Sequence, residues 1–140
     1  MRIVFAADGS KYTKKALAFL ANHESLAGPD GEVMVLNVQT PMPPRVRSMV
    51  GAAAITGYHE EEAAKVLEPI RRFLERKGIR ARCEWKSGEA AAQIVAAATR
   101  TRAHMIVMGT HGYGMLGRAI MGSVATRVLA EAEIPVLLVK

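Results

Sequence analysis

The residues with the most chemical content lie between Met108 and Val124, where five glycines (Gly109, Gly112, Gly114, Gly117 and Gly122) fall within 14 positions. A phosphate carries dense negative charge. A loop holds one when successive main-chain N–H groups converge on it with no side chain in the way. Glycine permits that approach and also permits positive φ. A helix beginning at Gly122-Ser123-Val124 would add its first amides and the positive end of its dipole. The Ser123 hydroxyl could then donate to a phosphate oxygen or help hold a divalent ion.

Two better-known motifs overlap this stretch. Gly112-x-Gly114-x-x-Gly117 matches the dinucleotide fingerprint in letters, but that fingerprint belongs in the first strand-to-helix turn, with an acidic ribose partner about 20 residues on. Here the first turn is Ala7-Asp8-Gly9-Ser10, and Glu131 and Glu133 fall at the end of the last helix. Gly117-x4-Gly122-Ser123 copies the P-loop spacing but has serine where the phosphate-binding lysine belongs, which argues against Walker-type hydrolysis. A third reading, that the glycines only shape a surface turn, stays open on spacing alone.

Other reactive side chains are sparse. Cys83 is the one cysteine of the 140 residues, so it has no internal disulfide partner, and no His/Cys spacing resembles a zinc site. No metal site is expected. His111 has no evident nucleophile or carboxylate partner in sequence, so no catalytic residue is assigned. The net charge of +6 permits an anionic partner, yet Arg45/Arg47, Arg71/Arg72, Arg80/Arg82 and Arg100/Arg102 are scattered pairs rather than a stripe. Only 5% of residues are aromatic and none interleave with the basic ones, so no nucleic-acid partner is expected.

The elements that must position the glycine stretch follow from the apolar pattern. Residues 2–7 read as a buried strand ending at Asp8-Gly9-Ser10. A helix carrying Ala16, Leu17 and Leu20 follows and stops near Gly28. Val33 to Val38 is an apolar run but for Asn37, the pattern of a strand covered on both faces in a parallel sheet. Residues 39–57, with Pro41, Pro43, Pro44, Gly51 and Gly57, read as an irregular loop that could act as a flap. The next helix buries Ala63, Leu67, Ile70 and Leu74, with Pro69 expected to kink it and Gly78 to end it. Residues 79–86 alternate as an edge strand with one wet face. Ser87 is expected to cap the helix through Ile94 and Ala98. His104–Met108 is a fourth strand, and Val136–Val139 closes the chain after one more helix.

Five strands alternate strictly with four helices. That is an α/β domain of three layers, α/β/α, around a five-stranded parallel sheet with right-handed crossovers. Half of the residues are apolar and 23% are charged, a globular balance with length for a single domain over residues 1–140. No apolar run reaches the roughly 20 residues that span a bilayer, and the opening residues meet Asp8 too soon for a secretory signal. No membrane partner is expected, and the cytoplasm is the expected location.

At Gly109-x2-Gly112-x9-Gly122-Ser123 the sequence resembles the ATP-binding subgroup of the universal stress protein (UspA-like) family. The resemblance extends to the opening Ile-Val-Phe-Ala-Ala-Asp-Gly-Ser, the run Ile106 to Gly112, and the close Ile134 to Val139. It implies an adenine nucleotide alpha hydrolase-like sheet ordered 3-2-1-4-5. It also implies adenine near Ala7, Asp8 and Val38, with ribose flanked by Met108 and Gly109. The phosphates would be held by Gly112, Gly122, Ser123 and Val124, with His111 nearby. Asp8 is also a natural turn residue before the first helix. Tyr113 departs from the small or basic residue usual at its position. The ligand implied is ATP, with AMP or ADP as alternatives and Mg²⁺ accompanying the nucleotide. The implied assembly is a homodimer through Val136–Val139. A stress-response or signalling module that binds rather than turns over nucleotide is expected. The alternatives are a slow ATPase or nucleotidyl transferase, and a dimeric scaffold without nucleotide.

Overall fold

The computed structural model describes residues 1–113 and 120–140. Gly114 and Gly117 of the glycine-rich motifs lie outside the described residues.

Five strands form the sheet: β1 (Arg2–Ala6), β2 (Glu32–Gln39), β3 (Ala81–Ser87), β4 (Met105–Gly109) and β5 (Val136–Val139). Their order is β3-β2-β1-β4-β5, and every neighbouring pair is parallel. The helices are α1 (Lys11–Ala21), α2 (Glu24–Ala27), α3 (Pro44–Val50), α4 (Ala52–Arg76), α5 (Ala90–Arg100) and α6 (Ser123–Glu131).

Strand alternation divides the core in two. Ile3, Phe5, Val33 and Val35 pack with Leu20 of α1 and with Leu67 and Leu74 of α4. Val4, Met34, Leu36 and Ile106 pack with Ile94 of α5 and Val128 of α6. Burying one side chain the size of Phe5 contributes about 1.5–3 kcal/mol. The chain builds outward from β1 through β2 to β3, then crosses back to β4. The strand order therefore reverses between β1 and β4, and in such sheets the crevice beyond the strands' carboxyl ends at that point accepts ligands.

Several local expectations are corrected. The stretch 39–57 is not irregular, because α3 and the start of α4 occupy most of it. None of the α3 residues is buried, so the segment lacks the apolar periodicity that marks a packed helix. Pro44, read as a breaker, stands in the first turn, where a missing N–H costs nothing. As expected, Pro69 lies inside α4 and the helix ends just before Gly78, held to the sheet by Leu67, Ile70 and Leu74. The first helical region is two helices rather than one, α1 closing at Asn22 and α2 starting after His23.

Ser87 does not cap α5. It is the last residue of β3, and Glu89 takes the cap instead, its carboxylate accepting from the N–H groups of Ala91 and Ala92. The Ala92 amide, then that of Ala91 and the charge of Arg127, hold the Glu89 carboxyl below its ordinary range. β3 is an edge strand as its alternation predicts: Ala81, Cys83 and Trp85 pack on the core. Burial pushes the Cys83 thiol above its ordinary value, the condition of an unreactive cysteine.

Candidate functional site

A cavity of about 320 Å³ opens at the carboxyl ends of β1, β2 and β4, where the strand order reverses. Its floor is apolar, with Leu36 and Val38 of β2, Met108 of β4 and Ile94 of α5. Its rim is the turn at Asp8, the Gly109–Tyr113 segment and the start of α6. A largely apolar pocket with a few convergent polar groups suits a ligand with a flat base and a charged tail.

Asp8 is both a turn residue and a rim residue. Its Oδ1 accepts from Ser10 N at 2.9 Å and from the Thr13 hydroxyl at 2.8 Å, while Asp8 N donates to Thr13 Oγ1 at 3.1 Å. These bonds lock the carboxylate against the start of α1, which Ser10 caps. Oδ2 is left facing the glycine segment. A Cβ on Gly112 would lie 2.5 Å from that oxygen, so only glycine lets the two strand-end turns come this close. Gly109 is packed on its other side, where a Cβ would lie 2.5 Å from Tyr12 Cβ and 3.0 Å from the Tyr12 carbonyl carbon.

The opposite wall is the first turn of α6. Gly122 takes the N-cap position, and its N–H donates to Thr110 O at 2.7 Å. That bond occupies the Gly122 amide, so the amides available to an anion here begin with Ser123 and Val124. Among the described residues no side chain caps α6, and the N–H groups of a helix's first turn have no partner within the helix itself. The hydroxyl of Thr110 is hydrogen-bonded to His111 Nδ1 at 2.8 Å, and the His111 ring lies 4.8 Å from that of Tyr12.

All ten residues singled out from the sequence line this one cavity: Ala7, Asp8, Val38, Met108, Gly109, His111, Gly112, Gly122, Ser123 and Val124. Sequence reasoning missed Leu36, Thr13, Ile94 and the role of Tyr113. Leu36 was within reach, because it shares the Val38 face by strand alternation. Ile94 comes from a helix that only the tertiary fold brings over. Tyr113 reaches across the mouth of the cavity and donates its hydroxyl to Gly9 O at 2.6 Å, joining the turn after β4 to the turn after β1. Gly9 adopts φ +82°, a conformation that side chains disfavour. Among the described residues no three His, Cys, Asp or Glu side chains gather to hold a metal. No helix among them is long and apolar enough to cross a membrane.

A parallel sheet ordered 3-2-1-4-5 between two helical layers, with a glycine-lined cavity at its reversal point, is the adenine nucleotide alpha hydrolase-like fold. A sequence profile of the Universal stress protein family matches residues 1–140, and the chain belongs to that family. A universal stress protein of Thermus aquaticus is 30% identical, the alignment covering 99% of this chain and 97% of that protein. Universal stress protein MJ0531 of Methanocaldococcus jannaschii is 40% identical over 81 residues, and the match spans only 48% of its length.

Among solved structures, hypothetical protein MJ0577 superposes with a TM-score of 0.87 at 27% identity, covering 99% of this chain and 94% of that one. An Arabidopsis thaliana universal stress protein family protein with AMP bound gives a TM-score of 0.70 at 18% identity, covering 100% and 91%. A universal stress protein in complex with cAMP gives 0.67 at 16% identity, covering 100% and 96%. These last two support the fold.

Proposed function

We propose that this chain is an adenine-nucleotide-binding module of stress response or signalling, with ATP as its principal ligand and AMP or ADP as alternatives. The observation that carries the reading is the approach of Gly112 to Asp8 beside the start of α6, at the rim of an apolar cavity. Adenine would lie on the apolar floor near Ala7 and Val38, with the ribose between Asp8 and Gly109. The phosphates would meet the amides of Gly112, Ser123 and Val124 and the Ser123 hydroxyl, with His111 beside them. Mg²⁺ would enter on the phosphates rather than in a protein cage, as is usual for this ion. The structural relatives carrying AMP and cAMP support an adenine ligand. The cytoplasm, where such nucleotides are held, is the proposed compartment, and 1–140 is proposed to act as one unit.

Turnover would need a positioned base or water-orienting group. Asp8 and His111 are the nearest candidates, and both are engaged within their own turns. Binding is therefore the reading favoured over a slow ATPase or transferase. The direct test is to denature the purified protein gently and weigh what is released. An adenine nucleotide mass near one per chain supports the reading, and a protein that carries none and takes up none on incubation overturns it.

Two further predictions arise here. The Tyr113 bridge should slow ligand exit, so Tyr113→Phe is expected to speed ATP dissociation about threefold to tenfold in stopped-flow chase, the loss of one hydrogen bond. An unchanged rate would mean that the bridge does not span the exit path. β5 is an edge strand, half-buried along Val136–Val139 and, among the described residues, paired with β4 alone. Apolar edges invite pairing with another chain. A homodimer through this strand is proposed, so light scattering should give twice the chain mass, and Leu137→Lys should shift it toward the monomer.

A further inference from the structure

The face of β2 turned away from the cavity carries a line of polar groups within an otherwise apolar core. Asn37, only 3% exposed, donates Nδ2 to the main-chain oxygen of Ala7 at 2.9 Å. Gln39 donates Nε2 to Asn37 Oδ1 at 2.7 Å. His59 of α4, 4% exposed, sits with Nδ1 3.4 Å from Gln39 Oε1, and its ring lies 6.0 Å from that of Trp85. The partners dictate the polarity. A carbonyl only accepts, so the Asn37 nitrogen must face Ala7, which leaves Oδ1 for Gln39 and the Gln39 oxygen for an N–H on His59 Nδ1. Every donor in the line points toward Ala7, the arrangement in which linked hydrogen bonds strengthen one another. The other end stops at His59 Nε2, which is buried and has no hydrogen-bond partner among the described residues.

The receiving carbonyl is where β1 and β2 part. Their register stops at Ala6↔Leu36, and the last main-chain bond between them runs from Ala7 N to Leu36 O at 2.9 Å. The next rung is made by the Asn37 side chain. β1 can therefore turn away into Asp8 while β2 runs on through Val38, and the gap between Ala7 and Val38 is the end of the cavity proposed for adenine. We infer that Asn37, oriented by Gln39 and anchored through His59 to α4, is the positioning residue that sets the base end of the site and its selectivity for adenine. This rests on the nucleotide reading above. Asn37 lies behind the wall rather than in it, so its action is through Ala7 and Val38.

The test uses the full chain and competition binding of ATP and GTP against a fluorescent ATP analogue. Asn37→Asp removes the donor and sets an acceptor against the Ala7 carbonyl. ATP affinity should fall about tenfold while GTP affinity changes less than about twofold, so that the selectivity ratio collapses. Gln39→Leu, which leaves Asn37 in place but unoriented, should shift the ratio in the same direction by about threefold, and it serves if the Asn37 variant does not fold. An unchanged ratio in the folded variants overturns the inference, as does a proportional loss for both nucleotides, which marks a purely structural role. Failure of the parent protein to bind any adenine nucleotide instead overturns the functional reading on which the inference rests.

Discussion

Replacing Gly112 by valine is expected to weaken ATP binding at least about 100-fold, equivalent to about 2.7 kcal/mol, with a shift in melting temperature of no more than a few degrees. The first Cβ already falls 2.5 Å from Asp8 Oδ2, and the carboxylate is held where it is. Its Oδ1 is tied to Ser10 N and to the Thr13 hydroxyl, so swinging aside breaks two hydrogen bonds and loosens the start of α1. The alternative is for the glycine segment to move out, which takes its amides away from the start of α6. Either adjustment spoils the site, while the two halves of the core remain untouched. Calorimetric binding and a thermal melt on one preparation separate the two effects. Binding within about threefold of the parent would show that Gly112 does not face the ligand.

Gly109→Ala should instead act on the fold. Its Cβ would lie 2.5 Å from Tyr12 Cβ and 3.0 Å from the Tyr12 main chain, rigid atoms of the helix that packs over β4. Relief requires moving α1 as a body, and overpacking of this kind costs about 1–3 kcal/mol. A melting temperature lower by roughly 3–10 °C is the expected result in calorimetry. A stability equal to the parent's would mean that α1 and β4 approach less closely than described. The two glycines, three residues apart in one motif, are thus expected to separate cleanly: one chiefly holds helix to sheet, the other chiefly keeps the cavity open.

The sheet was legible because its signals are local. Runs such as Val33 to Val38 and Ile106 to Met108 are long enough to be strands and too apolar to be exposed, and their strict alternation with helices leaves few topologies. The strand order itself came from the family resemblance. The site residues were legible in part for the same reason: a glycine spacing is a linear pattern, and the reversal point draws the turn at Asp8 next to it.

What escaped was non-local or weakly patterned. α3 hides because it buries nothing, so its residues carry no period. Glu89 was passed over as a cap because Ser87 is the better cap by type, although pairing with Gln39 keeps Ser87 in β3. Asn37 looks like an interruption in an apolar strand; its meaning depends on a carbonyl 30 residues earlier in the chain. Tyr113 reaches Gly9 across 104 positions, a contact that no local spacing encodes.

The central claim is that main-chain groups at the reversal point of the sheet, drawn together by glycine, form a site for an adenine nucleotide. Isothermal titration of nucleotide-free protein with ATP tests it most directly. One saturable site per chain, absent in Gly112→Val, is the predicted result; no saturable heat from ATP, ADP or AMP with the parent protein, or an isotherm unaltered by the substitution, would contradict it.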